Sequence, residues 1–266
     1  MADRPVQEPV REIVQDFLAR YQKREFSAPL RNGHIVSHDV YSRGDSPACV
    51  VIVQELPGIG PETISLADTF VEQGFRVIMP HLFGPLGKIS LAGNTFRVFC
   101  MRREFRLFEK QASSPIVDWL TALCRDLKAN HGATNIGAIG MCLTGNFAIS
   151  MMADDAVIAG VASQPSMPIS DQSALHMSAD EITRVRTRLN EHGPMMALRF
   201  DGDKLCRAAK FAALDETFND DAQRIKLTVL PGKLHSVLTL DLIKGGEPAQ
   251  QALDEILHYF TAKLKA

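Results

Sequence analysis

Apolar residues at positions 6, 10, 13, 14, 17, 18 and 21 recur with the spacing of one helix face, so an amphipathic helix is expected over residues 6–24, with a linker over 26–32. Residues 34–41 (HIVSHDVY) alternate as a half-buried strand does. Residues 48–54 (ACVVIVQ) are β-branched and apolar almost without interruption, which suits a strand buried on both faces. From there the pattern switches repeatedly between the two periods. It predicts a helix over 62–73, a strand over 75–79 ending at Pro80, helices over 91–110 and 116–130, and a strand over 136–139. Further strands are expected at 157–162, 195–200 and 225–230, with helices between them. Ser178 to Glu181 has the S-x-x-E form of a capping box, opening a helix that ends near His192 and Gly193. An amphipathic helix with Pro at its start closes the chain over 248–264.

Buried runs alternating with helices predict an α/β fold: a mostly parallel central sheet with helices on both faces. The expected organisation is an N-terminal helical extension over 1–30 and one α/β domain over 31–266, without repeats or low-complexity tracts. The 266 residues suffice for a large core without disulfide or metal staples. The 29 Lys+Arg against 31 Asp+Glu leave a formal net charge of −2, which gives nucleic acid or acidic lipid no basic field to follow. No stretch approaches the ~20 apolar residues needed to span a bilayer, and the first eight residues are polar and mixed in charge. Five cysteines, at 49, 100, 124, 142 and 206, lack C-x-x-C spacing. They argue against a disulfide framework or zinc site and for a reducing, cytoplasmic setting.

In a parallel α/β sheet, ligands gather beyond the carboxyl ends of the strands. Three strand ends carry candidate chemistry. Gly140-Met141-Cys142-Leu143-Thr144-Gly145 joins a strand to an apolar helix through small residues. Such a sharp turn presents Cys142 at a helix N-terminus, where backbone N–H groups favour a thiolate and can hold an oxyanion. The run resembles the G-x-S-x-G nucleophile elbow with Cys for Ser; the alternative is a buried core cysteine. Asp201 and Asp203 follow the strand at 195–200, and His235 follows the strand at 225–230. Nucleophile, acid, histidine is the α/β-hydrolase order. Asp203 is preferred as the acid, because Asp201 sits at the strand end and can simply start the turn. At a fourth strand end, Glu55 follows an apolar strand, where it belongs either to a site or to an exposed loop. The amide of Leu56 is a candidate oxyanion donor beside that of Leu143.

Four segments together resemble the dienelactone hydrolase family of α/β hydrolases: VIVQELPG (51–58), FRVIMPHLFG (75–84), GAIGMCLTGNFA (137–148) and GKLHSVL (232–238). The resemblance covers roughly residues 35–262. It implies the α/β-hydrolase fold, to which the N-terminal helix is an addition outside the resemblance, a triad of Cys142, Asp203 and His235, and a thiol-tuning role for Glu55. The implied activity is hydrolysis of a lactone or small ester through an acyl-cysteine intermediate, without cofactor or metal. This chain has Thr144 where the family usually has Gly, and His81 where it commonly has Asp. Pro85 and Thr239 stand near the places of the family's substrate-binding arginines. Arg102, Arg103 and Arg106 on the following helical segment either substitute for them or, the preferred reading, form a solvated helix face.

Gly58-Ile59-Gly60 lacks the third glycine of a dinucleotide fingerprint, and no HExxH or paired-His pattern suggests a metal. The expected partner is a small-molecule ester or lactone, with no nucleic acid or membrane; the oligomeric state is left open. The competing reading is a hydrolase-fold protein that binds a small molecule without turning it over.

Overall fold

A computed structural model of the chain describes residues 7–30, 33–56, 58–84, 86–87, 114–166, 173–175 and 177–266. The helix expected over 91–110, with Arg102, Arg103 and Arg106, lies outside these residues, as do Cys100 and Pro85. Eight strands form one sheet: β1 (Gln22–Pro29), β2 (Ile35–Arg43), β3 (Ala48–Val53), β4 (Arg76–His81), β5 (Asn135–Met141), β6 (Ala159–Ser163), β7 (Met195–Phe200) and β8 (Ile225–Leu230). Their order is β1-β2-β4-β3-β5-β6-β7-β8. The β1–β2 and β2–β4 pairs are antiparallel, and the pairs from β4 through β8 are parallel.

The described residues contain seven helices: α1 (Gln7–Arg20), α2 (Pro61–Glu72), α3 (Pro115–Asn130), α4 (Leu143–Met151), α5 (Ala179–His192), α6 (Ala208–Phe218) and α7 (Gly246–Leu264). The period of two along β3 sorts them into two layers. Cys49, Val51 and Val53 face a core with Trp119 of α3, Phe147 of α4, Val185 of α5 and Phe211 of α6. Val50 and Ile52 face the other core, with Phe17 of α1, Phe70 of α2 and Phe260 of α7. All six side chains of β3 are buried, as its unbroken apolar run requires. The capping box before α5 is formed in both directions between Ser178 and Glu181.

The N-terminus differs from its sequence pattern. α1 stops at Arg20, and Gln22–Pro29, read as the end of a helix followed by a linker, is an edge strand paired along its length with β2. Its burial alternates, with Arg24, Phe26 and Ala28 on the more covered side, which fits a strand with one face in water. α1 is held to the body by a polar clamp. Tyr21 Oη donates to Asp68 Oδ1 at 2.7 Å, Arg20 Nη1 to Asp68 Oδ2 at 2.8 Å, and Arg43 Nη1 to Asp68 Oδ1 at 2.9 Å. Phe17, stacked near Tyr21 and Tyr41, is fully buried beneath it.

Because Tyr21 is itself buried, Asp68→Ala strands its hydroxyl. The substitution is expected to destabilise the fold by about 1–3 kcal/mol, seen as a lower urea midpoint. An unchanged midpoint would show the clamp to be idle.

Candidate active site

Cys142 ends the run out of β5 and stands immediately before α4, with φ 58° and ψ −122°. This left-handed backbone is strained for a residue with a side chain and persists only where its surroundings enforce it. Gly140 is one enforcer: a Cβ there would lie 1.9 Å from the Thr144 carbonyl oxygen. Gly145 is another, since its Cβ would come within 2.9 Å of Pro165 Cα. Thr144, which replaces the small residue expected two positions after Cys142, fits by tying the elbow to the sheet. Its Oγ1 accepts the Met141 N–H at 2.9 Å and lies 3.0 Å from the carbonyl oxygens of Val53 and Met141, either of which can take its proton. The Cys142 carbonyl accepts from Gly145 N and Ser166 N, both at 3.1 Å. Cys142 is 9% exposed, and its Sγ is 3.2 Å from Ser166 Oγ. The amide of Leu143 opens α4, where first-turn N–H groups have no carbonyl within the helix to bond. Leu56 lies in the turn that follows β3.

His235 and Asp203 meet. His235 Nδ1 is 2.7 Å from Asp203 Oδ2, and Asp203 Oδ1 accepts from the amides of Leu205 at 2.8 Å and Cys206 at 3.1 Å. Asp203 is thus fixed on both oxygens and almost wholly buried. Asp201 is exposed and accepts the Gly232 N–H at 2.9 Å, so it closes a turn between the acid and histidine loops. The histidine loop is fastened in turn by Asp241, whose Oδ2 accepts the amides of His235 and Ser236, each at 3.1 Å. Burial pulls the His235 pKa down. The bond to Asp203 and the interaction with the Cys142 sulfur outweigh it and raise the pKa from 6.5 to about 10. His235 Nε2 is buried with no hydrogen-bond partner among the described residues.

Glu55 is buried at 3% exposure, which removes the exposed-loop alternative. Its hydrogen bonds run to the histidine loop and to the end of β6. Ser236 Oγ donates to Oε2 at 3.0 Å, Thr239 Oγ1 donates to Oε1, and Gln164 Nε2 donates to Oε2 at 3.3 Å. Burial pushes the Glu55 pKa up, against the hydrogen bonds of Thr239 and Ser236 and the charge of His235, which favour ionisation. Gln164 is itself at φ 35°, fully buried, and its Oε1 accepts from Ser163 Oγ and from Val237 N at 3.3 Å. Gln54, next to Glu55, turns the other way: Nε2 donates to the Phe83 carbonyl at 2.6 Å, and Oε1 accepts the Leu82 N–H at 3.1 Å.

The sequence pattern did not single out Ser166, Gln164, Ser236 or Asp241, and it named Thr239 only for its place near a family arginine. For Gln164 and Ser166 the available signal was their place just beyond a predicted buried strand; for the others, their proximity to His235. No group of three or more His, Cys, Asp or Glu side chains among the described residues could hold a metal ion. No helix among them is long and apolar enough to cross a membrane.

The fold recurs in solved structures. A dienelactone hydrolase-like promiscuous phosphotriesterase from metagenomic libraries superposes with a TM-score of 0.64 at 13% identity, over 91% of this chain and 98% of that one. A thermostable esterase from Pseudomonas putida matches with a TM-score of 0.61 at 11% identity, over 100% of this chain and 91% of that one. An esterase of Pyrococcus furiosus matches with a TM-score of 0.59 at 14% identity, over 92% of each chain. No relative was found among curated proteins. At the level of sequence, the family model of the dienelactone hydrolases matches residues 40–262, from β2 through nearly all of α7. With the elbow, the acid loop and the histidine loop all inside that span, this chain belongs to the dienelactone hydrolase family of ester hydrolases.

Proposed function

We propose that the protein hydrolyses a lactone or small ester through a Cys142–His235–Asp203 triad and an acyl-cysteine intermediate. The observation that carries this reading is the pairing of the strained Cys142 turn with a buried imidazole. That imidazole is anchored by Asp203 on one nitrogen and raised in pKa partly by the Cys142 sulfur.

In this mechanism the thiol proton rests on His235 Nε2 before substrate arrives, as the raised pKa favours, and Asp203 stabilises and orients the imidazolium through Nδ1. The Cys142 sulfur attacks the carbonyl carbon, and the amides of Leu143 and Leu56 receive the oxyanion. Collapse expels the alcohol, which takes its proton from His235. Neutral His235 then removes a proton from water, whose oxygen attacks the thioester, and the sulfur leaves as thiolate. Thr239 stands near the place of a family substrate arginine and is already bound to Glu55. This supports a neutral ester or lactone rather than a carboxylate-bearing one. Glu55 acts on the sulfur at one remove, by holding the loop that carries His235. A reducing, cytoplasmic setting suits a mechanism that needs a free thiol.

Cys142→Ala is expected to lower kcat/KM on an aryl-ester panel by on the order of 10³-fold or more, with Cys142→Ser also far below wild type. Full activity in the Ala variant would end the proposal. Asp203→Asn should cost about 10²–10⁴-fold in kcat, while Asp201→Asn, which loses only a turn contact, should stay near wild type. Equal losses in the two variants would count against Asp203.

The raised pKa of His235 also sets a pH window. Its protonated form contributes to stability fully below about pH 6.5, and that contribution is lost as pH rises through about 10. Melting temperature should therefore fall across that interval. In Asp203→Asn, which removes much of the upward pull, the fall should shift to lower pH. A wild-type profile flat from neutral to alkaline pH would contradict the assignment.

A further inference from the structure

Ser166 lies against the nucleophile and has no part in the reaction drawn above. It follows β6 by three residues, is 2% exposed, and places its Oγ 3.2 Å from Cys142 Sγ. Its main chain is fixed to the elbow itself. Ser166 N donates to the Cys142 carbonyl at 3.1 Å, and Asn146 Nδ2 donates to the Ser166 carbonyl at 3.2 Å. The same Asn146 amide reaches the Leu143 carbonyl at 3.1 Å, so the frame around the hydroxyl is built from residues that follow Cys142 on α4. His235 Nε2, by contrast, has no hydrogen-bond partner among the described residues. The sulfur has two polar neighbours, the Ser166 hydroxyl within hydrogen-bond distance and the His235 imidazole, whose pKa it raises.

A hydroxyl can serve either form of the sulfur, because it both donates and accepts. Toward a thiol it accepts the S–H. Toward a thiolate it rotates and donates, and such a charge-assisted bond is about twice as strong as a neutral one. A partner that binds the charged form more tightly shifts the equilibrium toward that form. We propose that Ser166 is a further partner of the nucleophile, one that aims the Cys142 sulfur and favours its thiolate. Its O–H turns from acceptor to donor as the thiol proton passes to His235 Nε2. It releases the sulfur when the S–C bond to the acyl group forms, and donates again when the thioester breaks and the thiolate departs. Ser166 forms no covalent bond, and it carries the same proton before and after the cycle.

This inference rests on the reading of Cys142 as the nucleophile, and one measurement separates the two. Alkylation of each cysteine by iodoacetamide is followed by peptide mass spectrometry as a function of pH, in wild type, Ser166→Ala and Ser166→Gly. Cys49, Cys124 and Cys206 are buried, with thiols pushed up by desolvation, and serve as slow internal references. In wild type, Cys142 should react fastest of the four. In both hydroxyl-free variants its rate near neutral pH should drop about tenfold and the pH midpoint of alkylation should rise by about one unit. A purely structural role for Ser166 would lower esterase activity without moving that midpoint. An unchanged midpoint in either variant overturns this proposal and leaves Cys142 as nucleophile. A wild-type Cys142 no faster than the three references overturns both.

Discussion

The carboxylate of Glu55 lies at the end of β3 with almost no access to water, and the geometry of the site depends on how its charge is met. A buried carboxylate without partners would be costly enough to neutralise itself or rearrange the chain. Here three donors converge on it, Ser236, Thr239 and Gln164, from two different loops. None of these donors is a cation, so apart from the nearby charge of His235 the carboxylate is met by hydroxyls and an amide whose positions must be held. The result is a fixed relation between the end of β3, the end of β6 and the loop that carries His235. Gln164 extends the network by receiving Val237 N and Ser163 Oγ on its other oxygen-bearing side. Truncating Glu55 would leave several buried donors unpaired at once, so its role in placing the imidazole cannot be separated from its role in holding the rim together.

Strain at Cys142 is the second constraint. A non-glycine residue at φ 58° costs about 1–3 kcal/mol, and the surroundings must over-determine it. Gly140 and Gly145 supply room, whereas Thr144 supplies bonds. The threonine therefore trades the freedom of a glycine for attachment to both β3 and β5. The strain and the network act on the same object from opposite sides: one lifts the sulfur above the sheet, the other brings the histidine loop to it.

Much of this was legible in the chain. β7 begins and ends at the residues its apolar run predicts, because a strand covered on both faces has nothing to interrupt its pattern; β8, at the sheet edge with Lys226 and Val229 exposed, also keeps its predicted bounds. The capping box of α5 was readable from four residues, since its two bonds are local. β1 was not readable. QKREFSAP carries few apolar residues, and only its pairing with β2, contributed by a segment further along, makes it a strand. In the site, the order of Cys142, Asp203 and His235 and the preference for Asp203 over Asp201 came from strand ends, a topological rule that needs no coordinates. Ser166 and Gln164 escaped because serine and glutamine in a polar loop look like solvent-facing residues. Their meaning comes from contacts with residues 20 to more than 100 positions away.

Gln54 and Glu55 are neighbours in sequence whose side chains leave the strand in opposite directions. One grips the loop after β4, the other the loop after β8. That division depends on the two-residue alternation of an extended backbone. Inserting or deleting a single residue at the end of β3 would swap their targets, setting an amide where a charge is required and a charge against a carbonyl. This dipeptide thus locks the reading frame of the site's rim: the loops on either side can lengthen or shorten, but the junction between them cannot slip by one.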